Sequence, residues 1–144
     1  MARAVVDTGI LIGMADTDDQ HHDIAMEIVR EMDHGNLPTG QVTNYVVLET
    51  LNWLHNRKRQ QTASEAYKRL HQSAGFEIIQ TAQKDFTRAI TLFEAHEALS
   101  FGDATIAAYM QRAGIEYLYS FDADFDLIED ITRLATPNNP FSRG

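Results

Sequence analysis

The chain has 144 residues, a length that predicts one compact domain and leaves no room for a second core. Hydrophobic residues make up 44% of it and charged residues 23%, which excludes the disordered class. It contains no cysteine, so a disulfide framework and a thiolate metal site are excluded. The formal net charge of -9 argues against a nucleic-acid binder, because such proteins usually carry basic surfaces that neutralise phosphates. An acidic, lysine-poor surface would instead suit a high-salt cytoplasm.

Two features of the chain predict a cytoplasmic location. The N-terminal run meets a carboxylate at Asp7, so we expect no signal-peptide core there. Every apolar run is broken well short of the roughly 18 residues that a membrane helix needs. We therefore expect a soluble protein with no membrane segment.

Strand and helix patterns alternate along the first half of the chain. A short apolar run at residues 4–6 predicts a buried strand that ends at Asp7. The later elements of this half are a first helical turn at 10–12, a helix over 23–32 that Gly35 ends, a strand over 41–43 and a helix over about 44–57.

The second half continues the same alternation. Its elements are a helix from Thr62 through Leu70, a strand over 76–79, an amphipathic helix over 84–99, an apolar helix over 104–113, a strand over 117–120 and an edge strand over 132–135. Alternating strands and helices predict an α/β three-layer sandwich, with a central parallel sheet of about five strands flanked by helices. We place the domain at residues 1–136 and expect 137–144, which holds Pro137 and Pro140, to be a flexible tail.

Two aspartates stand where predicted strands end. Asp7 follows the first strand, and Asp122 follows the strand over 117–120. In open parallel sheets ligands bind beyond the carboxyl ends of the strands, so these two side chains are candidates for one site. Each also has a local explanation, since Asp7 could cap a helix and Asp122 could stabilise a turn.

Two further acids come from helical segments. Glu49 lies within an apolar helix, with Tyr45 and Trp53 four residues away on either side, and a carboxylate there is unfavourable unless it finds a partner or reaches water. Asp103 follows Ser100 by three residues, the spacing of a capping box, so helix capping alone would explain it.

Four carboxylates at one end of a sheet would repel each other and raise their pKa values. A bound Mg²⁺ or Mn²⁺ removes that penalty, because hard cations prefer oxygen ligands. Such a cation also activates water and stabilises charge on a phosphate, so the chemistry that follows is phosphodiester hydrolysis. Asp126 is a candidate accessory ligand.

Four segments carry a resemblance to a known family: residues 5–11, 43–49, 99–108 and 120–125. In order and spacing the chain resembles the PIN-domain family, and within it the VapC-like toxin ribonucleases of toxin–antitoxin pairs. The resemblance extends to about Ala135 and implies a five-stranded parallel sheet, a Mg²⁺ or Mn²⁺ site and cleavage of single-stranded RNA.

The same resemblance implies roles for particular residues. Asp7, Asp103 and Asp122 would form the metal site and Glu49 would complete the catalytic set. The polar supports would be Thr8 and Ser120, the latter standing where threonine is commoner.

The resemblance also implies partners. Family members commonly form homodimers and are inhibited by a cognate antitoxin protein that inserts an arm into the site. The basic run of Arg57, Lys58 and Arg59 is a candidate contact for RNA or antitoxin, although a solvated helix end would equally explain it.

Alternative functions remain at this point. A housekeeping RNA-processing nuclease of the same family would need no antitoxin, and a non-catalytic module could keep the carboxylates to bind a metal or a basic partner. A receiver-like phosphoacceptor domain would need paired acids after the first strand and a lysine near the last one, and the sequence has neither. Zinc binding by His21 and His22 is disfavoured, because no histidine pair has zinc-site spacing.

Overall fold

The computed structural model describes residues 2–142. In this range, strands and helices alternate from the first element onward. The strands are β1 (Arg3–Val6), β2 (Thr39–Thr43), β3 (Phe76–Ile79), β4 (Tyr117–Tyr119) and β5 (Thr132–Leu134). The helices are α1 (Thr8–Ala15), α2 (His22–Asp33), α3 (Asn44–Arg57), α4 (Gln60–Gln72), α5 (Gln83–Ala95) and α6 (Phe101–Ala113), and a 3₁₀ helix (Ala123–Leu127) precedes β5.

The five strands form one parallel sheet in the order β3-β2-β1-β4-β5. In the centre, Val5 is in register with Gln41 on one side and Leu118 on the other. The chain moves outward from β1 through β2 to β3, then crosses to β4 on the opposite side of β1. The gap between β1 and β4 is therefore a topological switch point, where α/β sheets bind ligands.

The helices cover the sheet in two groups. Helices α1 to α4 pack mainly on one another, and α5 packs on α6. Right-handed crossovers place the two groups on opposite faces of the sheet. Strands buried on both faces need apolar side chains throughout, and Ala4, Val5 and Val6 are indeed fully buried. The predicted α/β three-layer sandwich is confirmed.

Local capping defines where several helices begin and end. Thr43 and Ser100 accept backbone N–H groups of α3 and α6 through their hydroxyls, at 3.2 and 3.1 Å. Gly35 follows α2 and Gly114 follows α6 with positive φ angles of 78° and 69°, which glycine adopts without strain. Of these residues, Gly35, Ser100 and Gly114 were recognisable from the sequence as helix boundaries.

Several predicted boundaries were wrong, among them the starts of α1 and α6, which are Thr8 rather than residue 10 and Phe101 rather than residue 104. Strand β2 begins at Thr39 rather than residue 41, because Gly40 already pairs with Ala4 and Phe76. Helix α4 begins at Gln60 rather than residue 62. Helix α5 ends at Ala95 rather than residue 99, where the ring of His96 bonds the Leu92 carbonyl at 3.1 Å.

The segment after β5 contacts the domain. The Tyr119 hydroxyl donates to the Asn138 carbonyl at 2.5 Å, and the Asn139 amide donates to the Asn36 carbonyl at 3.0 Å. The ring of Phe141 packs edge-on against Tyr117. The domain boundary at residue 136 stays a prediction, and residues 143–144 of the predicted tail lie outside the described range. Within residues 2–142, every helix is too short or too polar to span a membrane.

Candidate active site

A cavity of about 350 Å³ opens where β1 and β4 end. All four predicted carboxylates lie in its wall, although they come from four separate parts of the chain. The lining residues are Asp7, Thr8, Gly9, Asp19, His21, Glu49, Asp103, Phe121 and Asp122. None of these is a lysine or an arginine, so the cavity is a concentration of negative charge with no fixed basic counterpart.

Asp7 is the most deeply placed of the four, with 7% of its surface exposed. It follows β1 directly and caps α1, accepting the Thr8 N–H at 2.8 Å. Its second oxygen accepts the Ser120 hydroxyl at 2.7 Å. Burial and the charge of Asp122 raise the pKa of Asp7, although the bonds from Ser120 and Thr8 oppose the rise. Asp7 therefore both caps α1 and lines the cavity.

Ser120 links the ends of the two central strands. Its hydroxyl donates to Asp7 and accepts the backbone N–H of Asp122 at 3.0 Å. Asp122 in turn accepts the Asp124 N–H at 2.9 Å and caps the 3₁₀ helix. One hydroxyl thus holds Asp7 and the Asp122 backbone in a fixed relation.

Glu49 reaches the cavity from the middle of α3. The residue is exposed at the cavity rim, so its carboxylate reaches water, which is one of the two alternatives that the sequence left open. Its carboxylate lies over Gly102, where an added Cβ would approach Oε1 to 2.5 Å. Partial burial of the carboxyl group and the charge of Asp7 raise the pKa of Glu49.

Asp103 lies in the first turn of α6, half-buried at the cavity wall. Burial, followed by the charges of Asp7 and Asp122, raises the pKa of Asp103 to about 7. Its backbone N–H bonds the Ser100 hydroxyl, so the predicted cap at Ser100 forms. Because the charges of Asp7 and Asp122 raise the pKa of Asp103, the three carboxylates interact electrostatically, even though capping explains part of the local geometry.

The donor set fits a hard divalent cation. The acids present only carboxylate oxygens, and the Thr8 hydroxyl oxygen is buried at the same cavity without a hydrogen-bond partner in the described structure. Within residues 2–142, no three acidic or imidazole side chains are close enough to form a complete ligand set. The residues therefore match a cation in chemistry and charge, and the carboxylates would have to draw together around it.

The sequence analysis assigned no role to four residues of the cavity wall: Gly9, Asp19, His21 and Phe121. Asp19 and His21 come from the loop between α1 and α2, and Phe121 lies beside Asp122. The rings of His21 and Phe121 stack with centroids 4.2 Å apart and planes 15° apart. Phe121 could have been predicted at the cavity because it precedes Asp122 in the sequence. No sequence feature near His21 indicated that it would line the same cavity.

Asp126 lies apart from these residues. It is exposed and forms an ion pair with Arg133, with Nε and Oδ1 3.1 Å apart. The Arg133 guanidinium also donates to the Ser120 carbonyl at 3.2 Å, so Asp126 supports the end of β4 indirectly.

The basic run after α3 is also outside the cavity. Lys58 already pairs with Asp16 at 2.9 Å and with Asp18 at 3.0 Å. Arg57 is exposed, with its guanidinium 5.7 Å from the Trp53 ring centroid. Arg59 is exposed as well, which leaves the two arginines as the accessible charges of this run.

The family model for the PIN domain matches residues 4–131. The chain belongs to the PIN-domain family. This confirms the resemblance inferred from the four sequence segments, and the matched range includes every residue of the cavity wall. The comparison with curated protein sequences found no match.

Several solved PIN-domain structures share the fold. VapC20 from Mycobacterium tuberculosis, a toxin that cleaves the sarcin–ricin loop, is 24% identical with a TM-score of 0.76, over 88% of this chain and 95% of that one. The toxin–antitoxin complex of Klebsiella pneumoniae gives 23% identity and a TM-score of 0.62, over 94% and 98%. VapBC2 from Rickettsia felis, bound to promoter DNA, is 14% identical with a TM-score of 0.69, over 92% of this chain and 97% of that one. These similarities establish the PIN fold of this chain.

Proposed function

We propose that the protein is an endoribonuclease that hydrolyses RNA phosphodiester bonds with the help of Mg²⁺ or Mn²⁺. The observation that carries the proposal is the convergence of Asp7, Glu49, Asp103 and Asp122 on one cavity at the switch point of the sheet. PIN-domain membership supports it, because PIN domains are nucleases. Carboxylates gathered without basic partners are unfavourable unless a cation joins them.

In this mechanism each acid has a distinct task. Asp7, Asp103 and Asp122 would hold the cation, with Asp7 and Asp103 as its direct ligands and Asp122 as an outer or second-ion ligand. The cation supplies Lewis-acid stabilisation of the phosphate and lowers the pKa of water. Glu49, at the rim, orients the attacking water and accepts its proton. The expected products carry 5′-phosphate and 3′-hydroxyl ends.

The polar neighbours keep the acids in position. Ser120 and the Thr8 N–H each donate to one oxygen of Asp7, which fixes the orientation of that carboxylate at the cavity. The unpartnered Thr8 hydroxyl is available to a water or a phosphate oxygen. Both residues are positioning groups in this proposal, and Asp126 acts only through Arg133 and the end of β4.

The test is cleavage of single-stranded RNA by protein free of contaminating nucleases. We expect cleavage with Mg²⁺ or Mn²⁺, none with excess chelator, and none from the Asp103→Asn variant purified in parallel. The variant and the wild type should have the same circular dichroism spectrum. Equal cleavage by both proteins would refute the assigned site, and no cleavage by the wild type would favour a non-catalytic binding module.

We propose further that this nuclease is the toxin of a toxin–antitoxin pair and acts in the cytoplasm as a homodimer. The toxins and toxin–antitoxin complexes of the same fold support this role. Arg57 and Arg59 are the candidate contacts for antitoxin or RNA, since Lys58 is already paired. Growth arrest on expression that depends on Asp103 would support a toxin, whereas normal growth would favour a housekeeping nuclease. Light scattering tests the dimer.

A further inference from the structure

One wall of the cavity is aromatic rather than acidic. The Phe121 ring lies over Gly9, where an added Cβ would stand 3.9 Å from Cδ2, and the His21 ring lies over Phe121. The side chain of His21 is 41% exposed. The three residues therefore form a layered stack whose outermost ring, the imidazole of His21, lines the cavity.

The loop that carries this ring is held by polar contacts. Lys58, at the end of α3, reaches across to both Asp16 and Asp18. Asp19 accepts the backbone N–H of His21 at 2.8 Å. The stack is therefore preorganised, so little conformational entropy is lost when a ligand packs against it.

The charge of the molecule limits how a nucleic acid could bind here. A net charge of -9 and a cavity wall without lysine or arginine give phosphates little attraction beyond the cation. Outside the cavity Arg57 and Arg59 can contact phosphates, but affinity at the cavity itself must come from another source. Stacking of unpaired bases on aromatic rings is that source in many single-strand binders, because every base presents a π face whatever its sequence.

We propose that the exposed face of His21, supported by Phe121 and Gly9, is the stacking surface for an unpaired nucleobase beside the scissile phosphate. This inference rests on the proposed nuclease function and adds a binding surface to it: a place for an extruded base beside the cleavage site. A base held in a continuous duplex could not reach the ring, so duplexes are poor substrates.

The test distinguishes stacking by the flat ring of His21 from a role of its ring nitrogens. We expect His21→Ala to raise KM for a short single-stranded RNA about tenfold, with kcat changed less than about twofold. His21→Phe, which keeps a flat ring without nitrogens, should retain a KM near that of the wild type. Equal loss in both variants, above all a loss of kcat, would overturn the proposal in favour of proton transfer or phosphate binding by the imidazole.

A matched control exists on α4. His71 is exposed, stacks on Tyr67 with planes 10° apart and is not among the lining residues of this cavity. We expect His71→Ala to leave KM unchanged. A rise in KM equal to that of His21→Ala would show that loss of any surface histidine has this effect, and would refute the inference.

A binding experiment keeps the inference separate from the activity. RNA oligonucleotides with 2-aminopurine at successive positions are titrated into Asp103→Asn protein, which we expect to bind without cleaving. Quenching at one position that His21→Ala abolishes and His21→Phe retains would support stacking even if the wild type proved to be no nuclease. Absence of such quenching alongside wild-type cleavage would refute the stacking surface alone. If His21→Ala weakened binding of an arginine-rich peptide but not of RNA, the ring would be assigned to a protein partner instead.

Discussion

Two buried aspartates in different regions of this protein have opposite electrostatic surroundings. Asp85, at the start of α5, is 2% exposed, and Asp7, at the end of β1, is 7% exposed. Burial alone would raise the pKa of Asp85, but hydrogen bonds from Arg112 and the Ala82 N–H, with the charge of Arg112, hold it below the usual value. Asp7 has no such cation, and its pKa is raised.

Under the proposed function, the contrast separates a carboxylate that stabilises the fold from one that would bind a ligand. Asp85 joins α5 to α6 through a guanidinium that satisfies both of its oxygens. Asp7 is held by a hydroxyl and a backbone amide, which orient it without neutralising it. Burial therefore does not mark a functional acid, whereas burial without a compensating charge does. Substitutions at the two positions should separate activity from stability.

The largest expected effect is on catalysis at Asp7. Asp7→Asn keeps the size and the capping oxygen but removes the charge that would bind a cation, so cleavage should fall on the order of a thousandfold. The free energy of unfolding should stay the same or rise, because an uncompensated buried charge is lost. Cleavage assays and urea denaturation check the two outcomes. A clear loss of stability would mean that Asp7 serves the fold as Asp85 does.

Asp85→Asn should give the reverse result. The variant leaves Arg112 without its carboxylate partner, so the free energy of unfolding should fall by about 2–3 kcal/mol. The loss is no larger because about one third of the Arg112 side chain is exposed and water can solvate its charge. RNA cleavage by the folded fraction should match that of the wild type. Urea denaturation and specific activity at low temperature measure the two effects. Equal stability of the two proteins would contradict the structural role of the ion pair.

The same ion pair predicts how stability depends on pH. Because the pKa of folded Asp85 is below the ordinary value of 3.8, its contribution is present above that value and is lost as the pH falls through the folded pKa. The stability gap between wild type and Asp85→Asn should therefore shrink below pH 4. Denaturation curves at several acidic pH values test this. A gap that widened as the pH fell would reverse the assigned sign.

Cation binding should stabilise the region around Asp7 and not the region around Asp85. At ten times its Kd, Mg²⁺ or Mn²⁺ should add about 1.4 kcal/mol to the free energy of unfolding. Asp85→Asn should show the same increment, whereas Asp7→Asn should show little. Thermal denaturation of the wild type and both variants, with and without the cation, measures this increment in stability. An equal increment in Asp7→Asn would place the cation elsewhere.

The sequence predicted the position of the acids at Asp7 and Asp122 because a parallel sheet brings its strand ends to one edge. It also predicted the caps at Gly35 and Ser100, since those depend on neighbours within a few residues. The start of β2 depended on pairing with distant strands, and periodicity within residues 41–43 could not reveal it.

The aromatic part of the site was not predictable in the same way. His21 meets Phe121 only because the chain folds, and Lys58 reaches Asp16 across 42 positions of sequence. Lys58 therefore looked like a free basic residue in the sequence although its charge is already paired. Contacts of this kind leave no periodic signal, whereas capping and strand ends do.

The smallest effect that we predict concerns the approach of Gly102 to Glu49. A Cβ at Gly102 would stand 2.5 Å from Oε1 and 3.1 Å from Cδ of Glu49, so the carboxylate must shift. The displaced atoms end a flexible side chain, and alanine favours the helix, so Gly102→Ala should keep or slightly raise stability. Cleavage should fall a few-fold because the water-orienting carboxylate is displaced. The decisive comparison uses the Glu49→Ala background, where no carboxylate remains to be displaced and Gly102→Ala should have no further effect. The same few-fold loss in both backgrounds would mean that the added methyl group acts on Asp103 or on substrate, and Glu49 would lose its assigned task.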